Sequence, residues 1–318
     1  MILPKPRGPL GERVFAALRS LPEADAPLRT DVAAASPHDE ALTLWVLHEL
    51  HYGGFEDVDD RAEWHPGLLA VRHVLERRLE ERLRERWDGR VPDPADVPDA
   101  LLALVAADDG PSLADHVHRR ATHEQALELL RQRSLYHLKE ADPSTWAVPR
   151  LPVRAKAALV ELQFDEYGDG DPNRLHSHLF ARGLAEAGLR PEPGAYVDEA
   201  LPETLEMNNV LSLFGLHRRL RGASMGHLAA FESTSSLPSR RMVQGLERLG
   251  FSGATVEYYS EHVEADAVHE HVAVRDICGT LAEDHPDQAG EILFGAFTAL
   301  DQERRFATAM LAQWGVEP

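Results

Sequence analysis

Apolar side chains recur at every third or fourth position along nearly all of this chain, and runs that alternate apolar with polar residues between turn signals are hard to find. That period gives a helix one apolar stripe and gives a strand no apolar face, so the chain reads as all-α. The pattern predicts helices over 39–52, 65–88, 97–107, 111–134, 153–167, 173–188, 200–220, 223–250, 253–282 and 286–314. Between them lie proline- and glycine-bearing breaks: WDGRVPDP at 87–94, ADPSTWAVPRLP at 141–152, GDGDP at 168–172 and GLRPEPGAY at 188–196.

A length of 318 residues suits a main domain with a smaller appendage. LLAVRHVLERRLEERLRERW at 68–87 is a charged amphipathic helix with opposite charges four residues apart, read as a solvated helix or, failing that, a dimerising one. VPDPADVPDA follows as a connector. These features place an N-terminal helical appendage at 1–115 and a helical core at 116–318, with a homodimer expected through the appendage.

Several functional classes are excluded early. The formal charge of −20 repels a polyanion, so nucleic acid is not an expected partner. A single cysteine, Cys278, rules out a disulfide framework and multi-cysteine zinc or iron–sulfur sites, and fits a reducing cytoplasm. The opening MILPKPRGPLGERVF lacks the apolar core of a secretory signal, and no apolar run reaches a membrane span, since LLALVAADDG breaks early. GDGDP has neither a preceding strand nor GxGxxG spacing, so it is not a nucleotide loop. What stands out is 17 histidines, which with so little cysteine leave nitrogen and oxygen as the ligands for any metal.

SEHVEADAVHEHVAV at 260–274 concentrates that chemistry. On a helix, positions i, i+4 and i+7 lie within about 60° of one another, so His262, Asp266 and His269 form one stripe, whereas His271 and Glu264 turn toward the opposite face. Alone, such a stripe serves a solvated surface as well as it serves a metal. YHLKEADP adds Glu140 near a helix end, and ELQFDEYGDGDPNRLHSHLF adds a carboxylate cluster followed by His176. Three histidines and three carboxylates from separated helices suit ferrous iron or manganese. His137, His178, His227 and Glu232 are further polar residues nearby; GHLAAFESTSS at 226–236 reads first as a core helix, with a pocket wall built from His227 or Glu232 as the alternative.

The segment RSLYHLKEADPSTWAVPRLPVRAKAALVELQFDEYGDGDPNRLHSHLFARGL, together with YYSEHVEADAVHEHV, resembles the iron-containing redox enzymes of the haem-oxygenase-like diiron oxidase and oxygenase family. The resemblance covers roughly 130 to 300 and implies a haem-oxygenase-like helical bundle. It further implies metal ligands at Glu140, Glu166, His176, His262, Asp266 and His269. Glu140, His176 and His262 would hold one iron, and Glu166, Asp266 and His269 the other, with a bridging carboxylate. Periodicity does not choose Glu166 over Glu161 or Asp165; that choice comes from the resemblance. The paired Glu-x-x-His of ferritin-like bundles is missing.

The implied activity is that of a non-haem diiron oxidase or oxygenase with two Fe(II) per chain and O2 as co-substrate. It would act on a small molecule of amine, amino acid or fatty acid type and draw on an external electron donor; no catalytic residue beyond the ligands is assigned. The alternatives are a metal-free enzyme of the same fold, a haem protein, which the extra carboxylates disfavour, and a helical interaction protein.

Overall fold

In chain order the helices are α1 (Pro9–Ser20), α2 (Pro37–Glu49), α3 (Pro66–Arg86), α4 (Val97–Ala106), α5 (Leu113–Arg119), α6 (His123–His137), α7 (Asp142–Thr145), α8 (Val153–Glu166), α9 (His176–Glu186), α10 (Pro202–Leu216), α11 (Arg221–Arg248), α12 (Ala254–His271), α13 (Thr280–Asp284) and α14 (Ala289–Gln313). These come from a computed structural model, described here for residues 1–21, 28, 32 and 35–317, with the side chains of 264–268 left aside. No strand occurs among the described residues, as the apolar period requires. Among them, too, no helix is long and apolar enough to cross a membrane.

Most expected helices appear within a few residues of their predicted ends, and the departures have local causes. The segment expected as one helix over 111–134 is two, α5 and α6. Thr122 caps α6 by accepting from the Gln125 amide while the Gln125 side chain accepts from the Thr122 amide, a reciprocal capping box that restarts the chain. The helix expected over 253–282 changes character instead of ending, because α12 runs into a π-helical segment, Val272–Gly279, before α13. One helix lies outside the predicted set, α1, whose Leu10, Val14, Phe15 and Leu18 are buried.

The long helix α11 lies at the centre, packed along α14 and α12 and against α5. Glycines permit the closest crossing: a Cβ on Gly226 would fall 1.8 Å from the Ile292 carbonyl oxygen, and one on Gly295 would fall 2.0 Å from that of Ala223. Phe294, fully buried in α14, packs edge-on to Phe214 of α10 at 5.7 Å. Truncating such a ring to alanine costs about 3–5 kcal/mol.

The N-terminal helices join this core through polar as well as apolar contacts. The charged helix α3 is solvated on one side only, since Leu68, Val71, Leu75, Leu79 and Leu83 are buried, and Glu76 with them. Glu76 meets His48 of α2 at 3.0 Å, His217 just after α10 at 2.9 Å and Arg72 at 3.2 Å. At the end of α2, Glu49 pairs with Lys139 at 2.7 Å, and the Lys139 ammonium lies 4.4 Å from the centre of the Tyr52 ring.

Candidate metal centre

Glu166 is the last residue of α8 and the last member of its buried stripe, after Ala155, Leu159 and Leu162. The helix stops there because Gly168, Asp169 and Gly170 all take left-handed backbone angles, with φ of 70°, 55° and 82°. A Cβ on Gly168 would lie 2.6 Å from both the Arg174 carbonyl carbon and the Leu175 amide nitrogen, so glycine allows the chain to fold back on itself. This turn delivers His176, the first residue of α9, to Glu166, with Nδ1 at 3.1 Å from Oε2.

The other walls come from three places. Glu140 lies in the turn between α6 and α7, Glu232 on α11, and His262 and His269 on α12. All of these, and Glu166 and His176, are buried. His262 Nε2 is 3.7 Å from Glu140 Oε1, and the rings of His176 and His262 are 4.6 Å apart. His269 Nδ1 lies 3.4 Å from Glu232 Oε2 and 3.6 Å from Glu166 Oε1, while its Nε2 bonds Asp165 Oδ2 at 2.7 Å. Two groups result, Glu140 with His176 and His262, and Glu166 with Glu232 and His269, each offering three ligand atoms within 4.8 Å of one another.

The sequence-predicted residues therefore converge as far as they are described. Asp266 lies on α12, but its side chain is outside the described residues. At 226–236 the core-helix reading gives way at Glu232 to the pocket-wall alternative, since its carboxylate completes the second group. A signal was present: Glu232 is the only acidic or basic residue, histidine aside, between 222 and 239, and an isolated carboxylate in an apolar helix needs a partner. His227 fits the core reading, since burial pushes its ring down to about 4 as it packs edge-on to Phe214. His178 is exposed.

The electrostatics of the site call for positive charge. Burial opposes ionisation of Glu140, yet His137 and His262 hold its carboxyl well below the usual range. Burial likewise opposes protonation of His269, but Glu232, Glu166 and Asp165 outweigh it and push the ring up to about 9. His176 is raised too, against burial, by Glu166. Three buried carboxylates thus draw protons onto neighbouring histidines.

The residues fit a metal on geometry as well. Nδ1 of His176 and of His269 are buried and face carboxylate oxygens outside hydrogen-bond geometry, as ring nitrogens do when their lone pairs share a common point with those oxygens. Imidazole and hard carboxylate ligands without thiolate suit iron or manganese. Beside the groups lies a small opening lined by Tyr136, Ser144, Gln163, Leu228 and Phe231 along with the carboxylates. Its walls mix apolar faces with a few polar groups, as small-molecule sites do.

Comparison with known proteins bears on the family and the fold. Over 150 residues the chain is 29% identical to the nitrosourea synthase of Streptomyces achromogenes subsp. streptozoticus, a match that spans 47% of this chain and only 32% of that protein. Two crystal structures of a CADD-like protein from Nostoc punctiforme, each 17% identical, share the fold. They superpose with TM-scores of 0.51 and 0.50, covering 70% and 68% of this chain and 97% and 94% of theirs. The model of the family described as iron-containing redox enzymes matches residues 127–304, a span that contains every residue of both ligand groups, and the chain belongs to that family.

Proposed function

We propose that this protein is a non-haem diiron enzyme that uses O2 to oxidise a small molecule of amine, amino acid or fatty acid type. The observation that carries the reading is the pair of buried three-residue groups with Glu166 between them, its two oxygens facing His176 on one side and His269 on the other. Glu140, His176 and His262 would hold one ferrous ion; Glu166, Glu232 and His269, with Asp266, would hold the second. Glu166, which faces a histidine of each group, would be the carboxylate shared between them.

Iron at these positions supplies electrons to dioxygen. The chain's own residues set the conditions for that chemistry. Burial of the carboxylates keeps bulk water from the ligand atoms, and Asp165 fixes the outer nitrogen of His269. Tyr136, Leu228 and Phe231 offer an apolar bed for a substrate, with Ser144 and Gln163 as polar contacts. The name of the Streptomyces relative, a nitrosourea synthase, favours the nitrogen-bearing end of the substrate range. An external electron donor, a cytoplasmic setting and a homodimer built through residues 1–115 complete the proposal.

Anaerobic titration with ferrous ion, followed by oxygen, tests it with absorbance and Mössbauer readouts. Uptake of two irons per chain and a transient visible band are expected. A folded protein that takes up no iron would sink the reading and favour a metal-free enzyme of the same fold or a helical interaction protein.

A further inference from the structure

Glu140 belongs to no helix. α6 ends at His137, α7 begins at Asp142, and the carboxylate rides on the turn between them. Helical backbone does not fix its direction, so side chains must, and one that reaches it from across the fold is Tyr258 of α12. The Tyr258 hydroxyl lies 2.8 Å from each Glu140 oxygen. It also lies 2.7 Å from Nδ1 of His137, which is itself 3.1 Å from Glu140 Oε1. An ionised carboxylate only accepts, so the phenol donates to Glu140 and the His137 N–H adds a second donor to the same cluster.

The Tyr258 ring has little freedom to leave. It is 2% exposed and stands edge-on to Phe180 at 4.9 Å and to Tyr259 at 5.1 Å. Its backbone performs a second task one helical turn on. The Tyr258 carbonyl accepts from His262 Nδ1 at 2.7 Å, which leaves Nε2 as the nitrogen facing Glu140. A ligating histidine needs its other nitrogen held in this way, because that bond sets both the tautomer and the ring plane.

We infer that Tyr258 is the positioning residue of the first ligand group, its hydroxyl holding the Glu140 carboxylate and its carbonyl orienting His262. One residue thereby sets two of the three ligands of that group relative to each other and joins the α6–α7 turn to α12. The inference rests on the iron reading above. An ionised carboxylate has about four lone-pair directions, so Glu140 keeps the tyrosine bond while another lone pair is given to a metal.

The test is an anaerobic ferrous titration of the unaltered chain, Tyr258→Phe, Tyr259→Phe, Glu140→Gln and the Y258F/E140Q pair, with Mössbauer spectra to separate the sites. Y258F is expected to keep its circular dichroism, to hold one iron as tightly as the unaltered chain, and to hold the other about 10- to 100-fold more weakly with an altered quadrupole doublet. Y259F, which touches Tyr258 without bonding Glu140, is expected to match the unaltered chain. The double variant is expected to be no weaker than E140Q, because the tyrosine acts through Glu140; losses that simply add would mark a packing role and overturn the inference. Two unaltered sites in Y258F would overturn it as well. If Y258F does not fold, 4-aminophenylalanine at position 258 keeps a weaker donor of similar size: a several-fold loss confined to one site supports the inference, and no change overturns it. No uptake by the unaltered chain would overturn the iron reading and this inference together, whereas normal uptake there with an unaffected Y258F overturns the inference alone.

Discussion

Two clusters in this fold, each around a buried glutamate, are made from the same parts, two histidines and a glutamate, and they end in different chemistry. In the first, His48 and His217 each bond one oxygen of Glu76, Arg72 adds its charge at 3.2 Å, and the other nitrogen of His48 meets Asn209 at 3.2 Å. In the second, Glu140 is approached by His262 at 3.7 Å, while Nδ1 of His176 faces Glu166 at 3.1 Å without hydrogen-bond geometry. The first cluster has used its lone pairs and balanced its charge with an arginine. The second directs nitrogens and carboxylate oxygens at shared space. Residue type does not separate a metal site from a structural salt link; the direction of the lone pairs and the source of the counter-charge do.

Substitution can break that contrast. The largest effect is expected from His262→Ala, which removes a ligand and lowers iron from two to one per chain, whereas His217→Ala leaves iron unchanged; iron analysis after desalting checks both. Glu232→Gln is next, weakening the Glu166 group by about 10- to 100-fold in a ferrous titration. Unchanged affinity there would make Glu232 a counter-charge to His269 and nothing more. Asp165→Asn acts one shell further out, on the outer nitrogen of His269 from a carboxylate that is 39% exposed, and about a tenfold loss is expected in the same assay.

Glu76→Gln should leave iron binding alone and move stability instead. Burial opposes ionisation of Glu76, but hydrogen bonds from His217 and His48, with the charge of Arg72, outweigh it and hold the carboxyl well below its usual range. The folded state then binds fewer protons than the unfolded one, so the contribution is full above about pH 4.5 and is lost as pH falls below that value. His48 adds to the acid side: burial holds it neutral, and stability is lost as pH drops below about 6.5. Urea melts of E76Q should therefore show a loss of about 1–3 kcal/mol at neutral pH and a flatter profile below pH 4.5.

Much of this was written in the sequence. The three- and four-residue apolar period specifies helices almost everywhere, and the T-x-x-Q of residues 122–125, which divides α5 from α6, is a capping box readable without a structure. The same period marks Ala155, Leu159 and Leu162 as one face of α8, but only the structure adds Glu166 to it, leaving Glu161 exposed and Asp165 half-buried. What the pattern did not show is the meeting of distant turns. Glu232 lies in a stretch that looks like packing because its partners are on α8 and α12, and Tyr258 was one aromatic among several until its hydroxyl was found beside Glu140. Such residues act through long-range contact, which periodicity does not encode.

The ion pair between Lys139 and Glu49 bears on what could be cut from this chain. Lys139 is the neighbour of Glu140, and its ammonium is held by a carboxylate and a tyrosine ring that both belong to the N-terminal region, outside the span 127–304. A fragment trimmed to that span would keep every candidate ligand and lose the strut under one of them. The turn that carries Glu140 would then be free to wander, and such a fragment would be expected to release its first iron well before its second.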